Sequence, residues 1–307
     1  MVCADCDGNC RFAPSLVVIA FVWPPVWFRV LTRRIAESFA SPRQRRQSEV
    51  KGYQMTSLKE KVAIVTGASA GIGRAAARLF AQHGARVVVT ARRQAELDTL
   101  VGEIEANGGE AIALAGDVRE DIHNQKLVAV AESSFGGLDI AFNNAGAVGP
   151  LVQIEALERS DWNDVIETNL SSAFSAARYQ VPAMRRRGGG SLIFTSSFVG
   201  HETAGMPGMA AYAASKAGLV GLVKSLASDL GHEAIRVNAL LPGGTDTRMA
   251  TFENEEQRAF VEGMHALKRI ARPEEIAQSA LFLASDASSF TTGTAMLADG
   301  GVAISKV

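Results

Sequence analysis

From Val62 onward, short apolar runs rich in β-branched residues alternate with longer amphipathic stretches. Because consecutive parallel strands need a crossover of a dozen or more residues between them, this alternation predicts βαβ units and a parallel sheet. The strand candidates are VAIVT at 62–66, RVVVT at 86–90, AIALA at 111–115, LDIAF at 138–142, SLIFT at 191–195, IRVNAL at 235–240 and TAMLA at 294–298.

Helical patterns over about 72–83, 94–107, 121–135, 160–186 and 210–231 separate these runs. The sequence therefore predicts an α/β fold with a Rossmann-type, doubly wound sheet of seven parallel strands, flanked by helices in a single domain. Ligands of such sheets bind beyond the carboxyl ends of the strands. The strand-free segment at about 244–272 is accordingly interpreted as a lid over the substrate.

Composition excludes several classes of function. The chain of 307 residues is 47% hydrophobic and has a formal net charge of −1, so it can bury a large core but has no excess positive charge. We therefore expect neither a nucleic-acid nor a membrane partner. All three cysteines lie within the first ten residues, which leaves no disulfide framework for the rest of the chain.

Residues 1–55 form a separate problem. Their cysteines are spaced like a metal knuckle, but a structural zinc needs four ligands and the first histidine is His83, so we expect no metal site. Prolines interrupt the apolar run at 12–31, although insertion into a membrane surface or a poor signal sequence stays open. We interpret this N-terminal extension as disordered or as a mis-assigned start, with translation beginning at Met55 and the catalytic domain spanning 56–307.

The stretch TGASAGIG at 66–73 lies between the first strand and the first helix. Glycines allow a ligand to approach the backbone, and the following helix N-terminus offers unpaired N–H groups to a phosphate. The spacing of Gly67, Gly71 and Gly73 differs from the general Gly-x-Gly-x-x-Gly fingerprint, but its place between strand and helix predicts a dinucleotide pyrophosphate site.

Taken together, the motifs resemble the short-chain dehydrogenase/reductase family, in particular its single-domain members of the 3-oxoacyl-[acyl-carrier-protein] reductase type. The resemblance covers essentially all of residues 56–307. It rests on TGxxxGxG at 66–73, NNAG at 143–146, Asn169, the serines at 196 and 197, YxxxK at 212–216, PGGTDT at 242–247 and DGG at 299–301.

The resemblance implies a catalytic tetrad. Tyr212 would be the general acid/base, and because a free tyrosine has a pKa of about 10, Lys216 would make it more acidic as well as binding the nicotinamide ribose. Ser197 would polarise the substrate carbonyl, with Ser196 as the second candidate. Asn169 would bend its helix and hold a water that links the lysine to solvent.

The resemblance also implies the cofactor. The second strand is followed by Ala91 instead of the aspartate that favours NAD(H), and Arg92 and Arg93 come next, so we expect NADP(H) over NAD(H). Ala70 stands where many NADP-preferring members carry a basic residue, so NAD(H) stays an alternative. The remaining cofactor positions by resemblance are Ser69 and Ile72 in the glycine loop, Asp117 and Val118 at the adenine, Asn143, Ala145 and Gly146 at the adenosine half, and Pro242, Gly243, Thr245 and Thr247 near the nicotinamide.

The function implied is an oxidoreductase that interconverts a ketone and a secondary alcohol, with a carbonyl or 3-oxoacyl reductase preferred. A polyol or steroid dehydrogenase using NAD and a non-catalytic NADP sensor stay open. A medium-sized hydrophobic substrate is suggested by apolar residues of the lid, which are Met249, Phe252, Phe260 and Met264, and of the opposite loop, which are Met206 and Met209. Three arginines at 185–187 suit an acidic carrier protein or simply a helix end. A cytoplasmic homotetramer is expected by resemblance.

Overall fold

The computed structural model describes residues 56–202, 205–250 and 254–305. The hypotheses about the first 55 residues, and the expected lid residue Phe252, lie outside these ranges. The domain boundary at residue 56 and the start at Met55 therefore stay predictions.

The sheet has seven strands, all parallel, in the order β3-β2-β1-β4-β5-β6-β7. This confirms the predicted Rossmann-type sheet. The strands are β1 (Val62–Thr66), β2 (Arg86–Thr90), β3 (Glu110–Ala113), β4 (Ile140–Asn143), β5 (Gly190–Thr195), β6 (Ile235–Pro242) and β7 (Ala295–Ala298).

The five predicted helical patterns are observed within a residue or two of their expected bounds, and two further helices between β6 and β7 are ones for which no bounds were predicted. One difference lies in the long helix, where a single wide π-helical turn, Glu167–Ser171, separates two α-helical parts. The helices are α1 (Gly71–Gln82), α2 (Gln94–Ala106), α3 (Asp121–Phe135), α4 (Arg159–Ile166), α5 (Ser172–Arg187), α6 (Ala210–Leu230), α7 (Glu255–Met264) and α8 (Pro273–Ala284).

Helices cover both faces of the sheet, which explains why its central strands are apolar without alternation. Every residue of β1 is buried, and so is β5 after its first residue. One core cluster packs α1, α2 and α8 against one face, and a second packs α3, α5 and α6 against the other. Phe80 and Phe142, with ring centroids 6.2 Å apart, fill the first cluster at its centre.

The direction of chain travel across the sheet reverses between β1 and β4. Ala63 pairs with Val87 of β2 on one side and with Ile140 of β4 on the other. Connections from these two strands leave in opposite directions, so a crevice opens at their carboxyl ends. The glycine loop, the NNAG loop and the serines after β5 all follow strands at this edge.

Candidate active site

The glycine-rich loop between β1 and α1 packs closely against the loop after β4. Gly67 has a φ of +66°, and a Cβ atom at Gly73 would lie 2.7 Å from Asn144 Nδ2. α1 begins at Gly71 without a side-chain cap and without an acidic residue in its first turn, while Ile72 packs on the core. The N-terminal N–H groups and the positive end of the helix dipole thus fit a phosphate group.

The NNAG loop after β4 is tied to the end of β1. Thr66 Oγ1 accepts hydrogen bonds from the backbone N–H groups of Asn144 and Ala145, both at 2.9 Å. The Asn143 side chain instead pairs with Gln180 of α5 through two amide hydrogen bonds of 2.9 and 3.0 Å. Its side chain is therefore occupied, and only its backbone can serve a cofactor. The sequence analysis did not single out Asn144, although the motif contains it.

The two arginines after β2 differ in their surroundings. Arg93 donates to Ser69 Oγ at 3.1 Å and forms an ion pair with Glu96. Arg92 is exposed and makes no hydrogen bond or ion pair with another residue of the described ranges. Ala91 is buried beside them, 9% exposed. Arg92 is therefore the guanidinium that is available to an anionic ligand, whereas the charge of Arg93 is already offset.

Asp117 and Val118 follow β3 at the same edge. The Asp117 carboxylate accepts from the backbone N–H of Arg119 at 3.0 Å and from its guanidinium at 3.0 and 2.7 Å. These bonds hold the pKa of Asp117 below its usual value. The Val118 carbonyl accepts from Asn124 Nδ2 at 2.8 Å. The carboxylate that was expected to bind adenine is thus ionised and already bonded to its neighbour.

The two serines after β5 have different partners. Ser196 donates from its hydroxyl to the backbone carbonyl of Lys216 at 2.8 Å and is 2% exposed. Ser197 forms a hydrogen bond with the Tyr212 side chain. Its Oγ also accepts from the N–H of Val199 at 3.4 Å. Only Ser197 of this pair is bonded to the tyrosine.

Tyr212 and Lys216 lie one turn apart on α6, with the lysine Nζ 5.5 Å from the centroid of the tyrosine ring. Burial raises the pKa of the Tyr212 phenol, and the hydrogen bond with Ser197 offsets part of this shift. The sequence analysis expected a more acidic phenol, but loss of water outweighs the nearby polar groups. Burial also lowers the pKa of Lys216 to about 8, so at neutral pH the ammonium is still mostly protonated and donates to the Thr195 carbonyl at 2.8 Å.

Asn169 lies in the wide turn before α5 and crosses to the loop after β4. Its amide accepts from the N–H of Ala147 and donates to the carbonyl of the same residue, both at 2.8 Å. It also donates to Ser215 Oγ at 2.9 Å. A Cβ atom at Gly146 would lie 3.1 Å from Asn169 Oδ1 and 3.3 Å from Lys216 Nζ. The asparagine and the lysine thus meet at this glycine. Ser215 was missed, and its place three residues after the tyrosine is the signal that could have found it.

The segment after β6 reaches back across the glycine loop. It leaves the sheet at Pro242, and the N–H of Gly243 donates to the Ala298 carbonyl at 3.2 Å. Thr245 Oγ1 donates to the carbonyl of Gly243 at 3.0 Å. Thr247 Cγ2 lies 2.9 Å from where a Cβ atom of Gly71 would be. Thr247 therefore lies beside the glycine loop, and Thr245 is bonded within its own turn.

The apolar residues of the predicted lid do not all have the same environment. Met249 and Phe260 are 50% and 64% exposed, whereas Met264 packs in the interior at 9% exposure. In the loop before α6, Met206 and Met209 are partly buried. Exposed apolar side chains thus remain on the segment predicted as a lid, and Met264 is a core residue.

The described ranges contain neither a metal-binding cluster nor a membrane-spanning helix. No group of three or more His, Cys, Asp or Glu residues there could hold a metal ion. None of the helices in these ranges is long and apolar enough to cross a membrane.

Comparison with known proteins decides the family. A sequence profile of the family described as Enoyl-(Acyl carrier protein) reductase matches residues 67–303. Cyclohexanol dehydrogenase of Acinetobacter sp. (strain SE19) is 39% identical over 241 residues, which are 78% of this chain and 94% of that protein. The chain belongs to the short-chain dehydrogenase/reductase family.

Other members of the short-chain dehydrogenase/reductase family are similar over nearly their whole length. The 3-oxoacyl-[acyl-carrier-protein] reductase FabG of Thermotoga maritima is 38% identical over 247 residues, 80% of this chain and 99% of that protein. A short-chain type dehydrogenase/reductase from Mycobacterium marinum superposes with a TM-score of 0.77 at 34% identity, covering 81% of this chain and 97% of that chain. A dehydrogenase/reductase from Sinorhizobium meliloti 1021 gives a TM-score of 0.76 at 35% identity, with the same coverage.

Family membership establishes the general chemistry. The protein is an oxidoreductase that acts on CH–OH groups, interconverting ketones and alcohols, and the family binds NAD or NADP. The matching profile is described as an enoyl reductase, whereas the similar proteins named above are a cyclohexanol dehydrogenase and a 3-oxoacyl-[acyl-carrier-protein] reductase.

Proposed function

We propose that this protein is an NADPH-dependent carbonyl reductase that uses Tyr212 as its general acid/base, with Ser197, Lys216 and Asn169. The observation that carries the proposal is the Ser197–Tyr212 hydrogen bond, with the Lys216 ammonium 5.5 Å from the tyrosine ring centroid. Burial raises the pKa of the phenol, so Tyr212 holds its proton at neutral pH, which is the state that reduction of a carbonyl requires.

In this mechanism the protein supplies the proton and orients the substrate. Ser197 donates a hydrogen bond to the carbonyl oxygen and polarises it, and Tyr212 Oη transfers its proton to the same oxygen. Lys216 stabilises the phenolate that remains, since its ammonium is protonated below its pKa of about 8. Asn169 holds the loop beside Lys216 and provides the route for a new proton from solvent. The nicotinamide, when bound, supplies the hydride in reduction and accepts it in oxidation.

Three features of the chain support a dinucleotide held along the crevice. Gly67, Gly71 and Gly73 let the loop pack closely against its neighbours, and the uncapped N-terminus of α1 that follows supports a pyrophosphate there. Arg92 is exposed and forms no hydrogen bond or ion pair in the described ranges, which supports a 2′-phosphate and hence NADPH. Arg93, bonded to Ser69 and Glu96, would contribute less unless its ion pair opened.

The substrate we propose is a medium-sized apolar ketone. Exposed Met249 and Phe260 on the lid support it, and the names of the relatives, a cyclohexanol dehydrogenase and 3-oxoacyl-[acyl-carrier-protein] reductases, agree with it. An acyl-carrier-protein substrate has less support, since each arginine at the end of α5 has an acidic partner in this chain. The pairs are Arg185 with Glu233, Arg186 with Glu132, and Arg187 with Asp139.

The test follows loss of reduced-nicotinamide absorbance with NADPH and NADH in parallel. The panel contains cyclohexanone, diketones, 3-oxoacyl thioesters, steroid ketones and aldehydes, with Tyr212→Phe as the control. We expect turnover with NADPH on an apolar ketone and none in the variant. Turnover that survives loss of the Tyr212 hydroxyl would reject the mechanism, and faster turnover with NADH would reject the cofactor assignment.

The non-catalytic sensor predicts a different result, namely tight NADPH binding without turnover on any carbonyl or alcohol. A polyol or steroid dehydrogenase predicts NAD-dependent oxidation of those alcohols. The homotetramer and the cytoplasmic location stay predictions from family resemblance. Sedimentation analysis of the purified protein would test the first of these.

A further inference from the structure

His265 lies directly after the lid helix α7, and neither the motifs nor the proposed mechanism uses it. The side chain is 2% exposed, although histidine is polar and the residue belongs to the lid. A buried imidazole is costly unless its ring nitrogens are hydrogen-bonded. Its partners therefore indicate what it does.

Both ring nitrogens of His265 have backbone partners. Nε2 lies 2.9 Å from the backbone nitrogen of Gly244, whose N–H can only donate, so Nε2 is the acceptor. The proton must then be on Nδ1, which donates to the carbonyl of Val261 at 2.8 Å. These two bonds fix a neutral imidazole between the last turn of α7 and the segment that leaves β6.

Gly244 is held on its other side as well. Its carbonyl accepts from the N–H of Ala271 at 2.8 Å. A Cβ atom at this glycine would lie 2.9 Å from His265 Cε1 and 2.9 Å from Ile270 Cγ2, so both side chains pack directly on its backbone. The lid thus returns to the sheet at the residue where it begins.

The turn after β7 also lies against His265 and the residues that follow it. The N–H of Leu267 donates to the carbonyl of Gly300 at 3.1 Å, and a Cβ atom at that glycine would lie 3.4 Å from His265 Cδ2. His265 is therefore the side chain at which the ends of β6, β7 and α7 meet.

The position of Gly244 determines where the two threonines of the next turn lie. Thr245 follows it directly, and Thr247 Cγ2 is 2.9 Å from the Cβ position of Gly71 in the glycine loop. A displacement at Gly244 would carry both threonines away from the phosphate-binding edge.

We propose that His265 is a positioning residue for the cofactor. Acting through Gly244, its Nε2 fixes the segment that carries Thr245 and Thr247, so cofactor affinity depends on an acceptor at this place. The inference rests on the proposed function, because it takes those threonines to contact the nicotinamide half.

Two substitutions separate the two ring nitrogens. His265→Gln can place an amide oxygen near the position of Nε2 and keep an acceptor for the Gly244 N–H, whereas His265→Asn can keep only the donor to Val261. Ile270→Ala is the matched control, since it removes packing from the same glycine and leaves the hydrogen bond intact. NADPH dissociation constants would be measured by calorimetry at 10 °C, after circular dichroism has verified folding.

We expect His265→Asn to raise the NADPH dissociation constant about tenfold, because an N–H loses its acceptor. His265→Gln should stay within about threefold of the parent, and kcat at saturating NADPH should change less than the Michaelis constant for NADPH. The proposal would be overturned if His265→Asn bound NADPH as tightly as the parent does. It would also be overturned if His265→Gln or Ile270→Ala lost as much NADPH affinity as His265→Asn. Failure of His265→Asn alone to fold would assign a structural role and overturn it too. A parent that binds neither NADPH nor NADH would instead reject the proposed function, and the inference with it.

Discussion

Ser196 donates a hydrogen bond from its hydroxyl to the backbone carbonyl of Lys216, 2.8 Å away, while its neighbour Ser197 bonds to Tyr212. Two adjacent serines after β5 thus have separate tasks. One anchors the helix turn that carries the lysine, and the other is placed beside the phenol.

Replacing each serine by alanine should separate these tasks. We expect Ser197→Ala to lower kcat by about 10²–10³, as for the loss of one hydrogen-bond donor to a developing oxyanion. Ser196→Ala should leave kcat within a few-fold of the parent but lower the free energy of unfolding by about 1 kcal/mol, because a buried carbonyl loses its donor. Steady-state kinetics and urea denaturation check both. Near-equal loss of kcat in the two variants would contradict the assignment.

The difference between the arginines after β2 predicts unequal effects on NADPH. Arg92→Ala should raise the Michaelis constant for NADPH about tenfold or more and leave that for NADH within about twofold, because it removes a charged bond to a 2′-phosphate. Arg93→Ala should have the smaller effect, since Glu96 already offsets its charge. Glu96→Ala removes the ion-pair partner of Arg93 and should therefore lower the Michaelis constant for NADPH. If Arg92→Ala raised the Michaelis constants for NADPH and NADH alike, the assignment of Arg92 to a 2′-phosphate would be wrong.

The lowered pKa of Lys216 predicts the dependence of activity on pH. Its ammonium is charged below about pH 8 and neutral above it. We therefore expect kcat/KM for carbonyl reduction to fall as pH rises through about 8, because the phenolate left by proton transfer loses its cation. Lys216→Arg, which stays charged, should retain low activity without that fall. A pH–rate profile from pH 6 to pH 10 tests this, and a parent profile that is flat across pH 8 would refute it.

The same lysine should make the folded protein more stable as pH rises, although it makes the enzyme less active. The pKa of Lys216 falls from 10.5 to about 8 on folding, so between these pH values the unfolded chain binds more protons. The free energy of unfolding contributed by this residue therefore rises by about 1.4 kcal/mol per pH unit in that window. Comparing the parent with Lys216→Met by urea denaturation at pH 8, 9 and 10 isolates this contribution. If the difference in free energy of unfolding between the parent and Lys216→Met stayed constant across these pH values, the prediction would be contradicted.

Two of the three non-glycine residues with a left-handed backbone conformation in the described ranges offer sites for stabilisation. Ala234 has a φ of +58° and Lys268 a φ of +53°, where a Cβ atom is unfavourable. We expect Ala234→Gly to raise the free energy of unfolding by about 0.5–1 kcal/mol. Lys268→Gly should raise the free energy of unfolding by less, because it loses the hydrogen bond from Nζ to the Gly263 carbonyl at 2.7 Å. Ala129→Gly, in the interior of α3, is the control, and it should lower the free energy of unfolding by about 1 kcal/mol.

The sequence by itself determined the fold class and the place of the crevice. Periods of apolar residues distinguish strands from helices because a covered parallel strand is apolar throughout and a surface helix has only one apolar face. The glycines at 67, 71 and 73 predicted the loop that we propose for the phosphates, because glycine lets the backbone turn tightly between a strand and a helix.

Only the tertiary structure decided which side chains of the motifs are available. Asn143 pairs with Gln180, 37 residues along the chain, and Ser196 bonds to a carbonyl 20 residues away. Arg93 is occupied whereas Arg92 is not. Such contacts join segments distant in sequence, so no local pattern contains them. For the same reason the direction of the Tyr212 pKa shift depended on burial, which packing creates and spacing along the chain does not reveal.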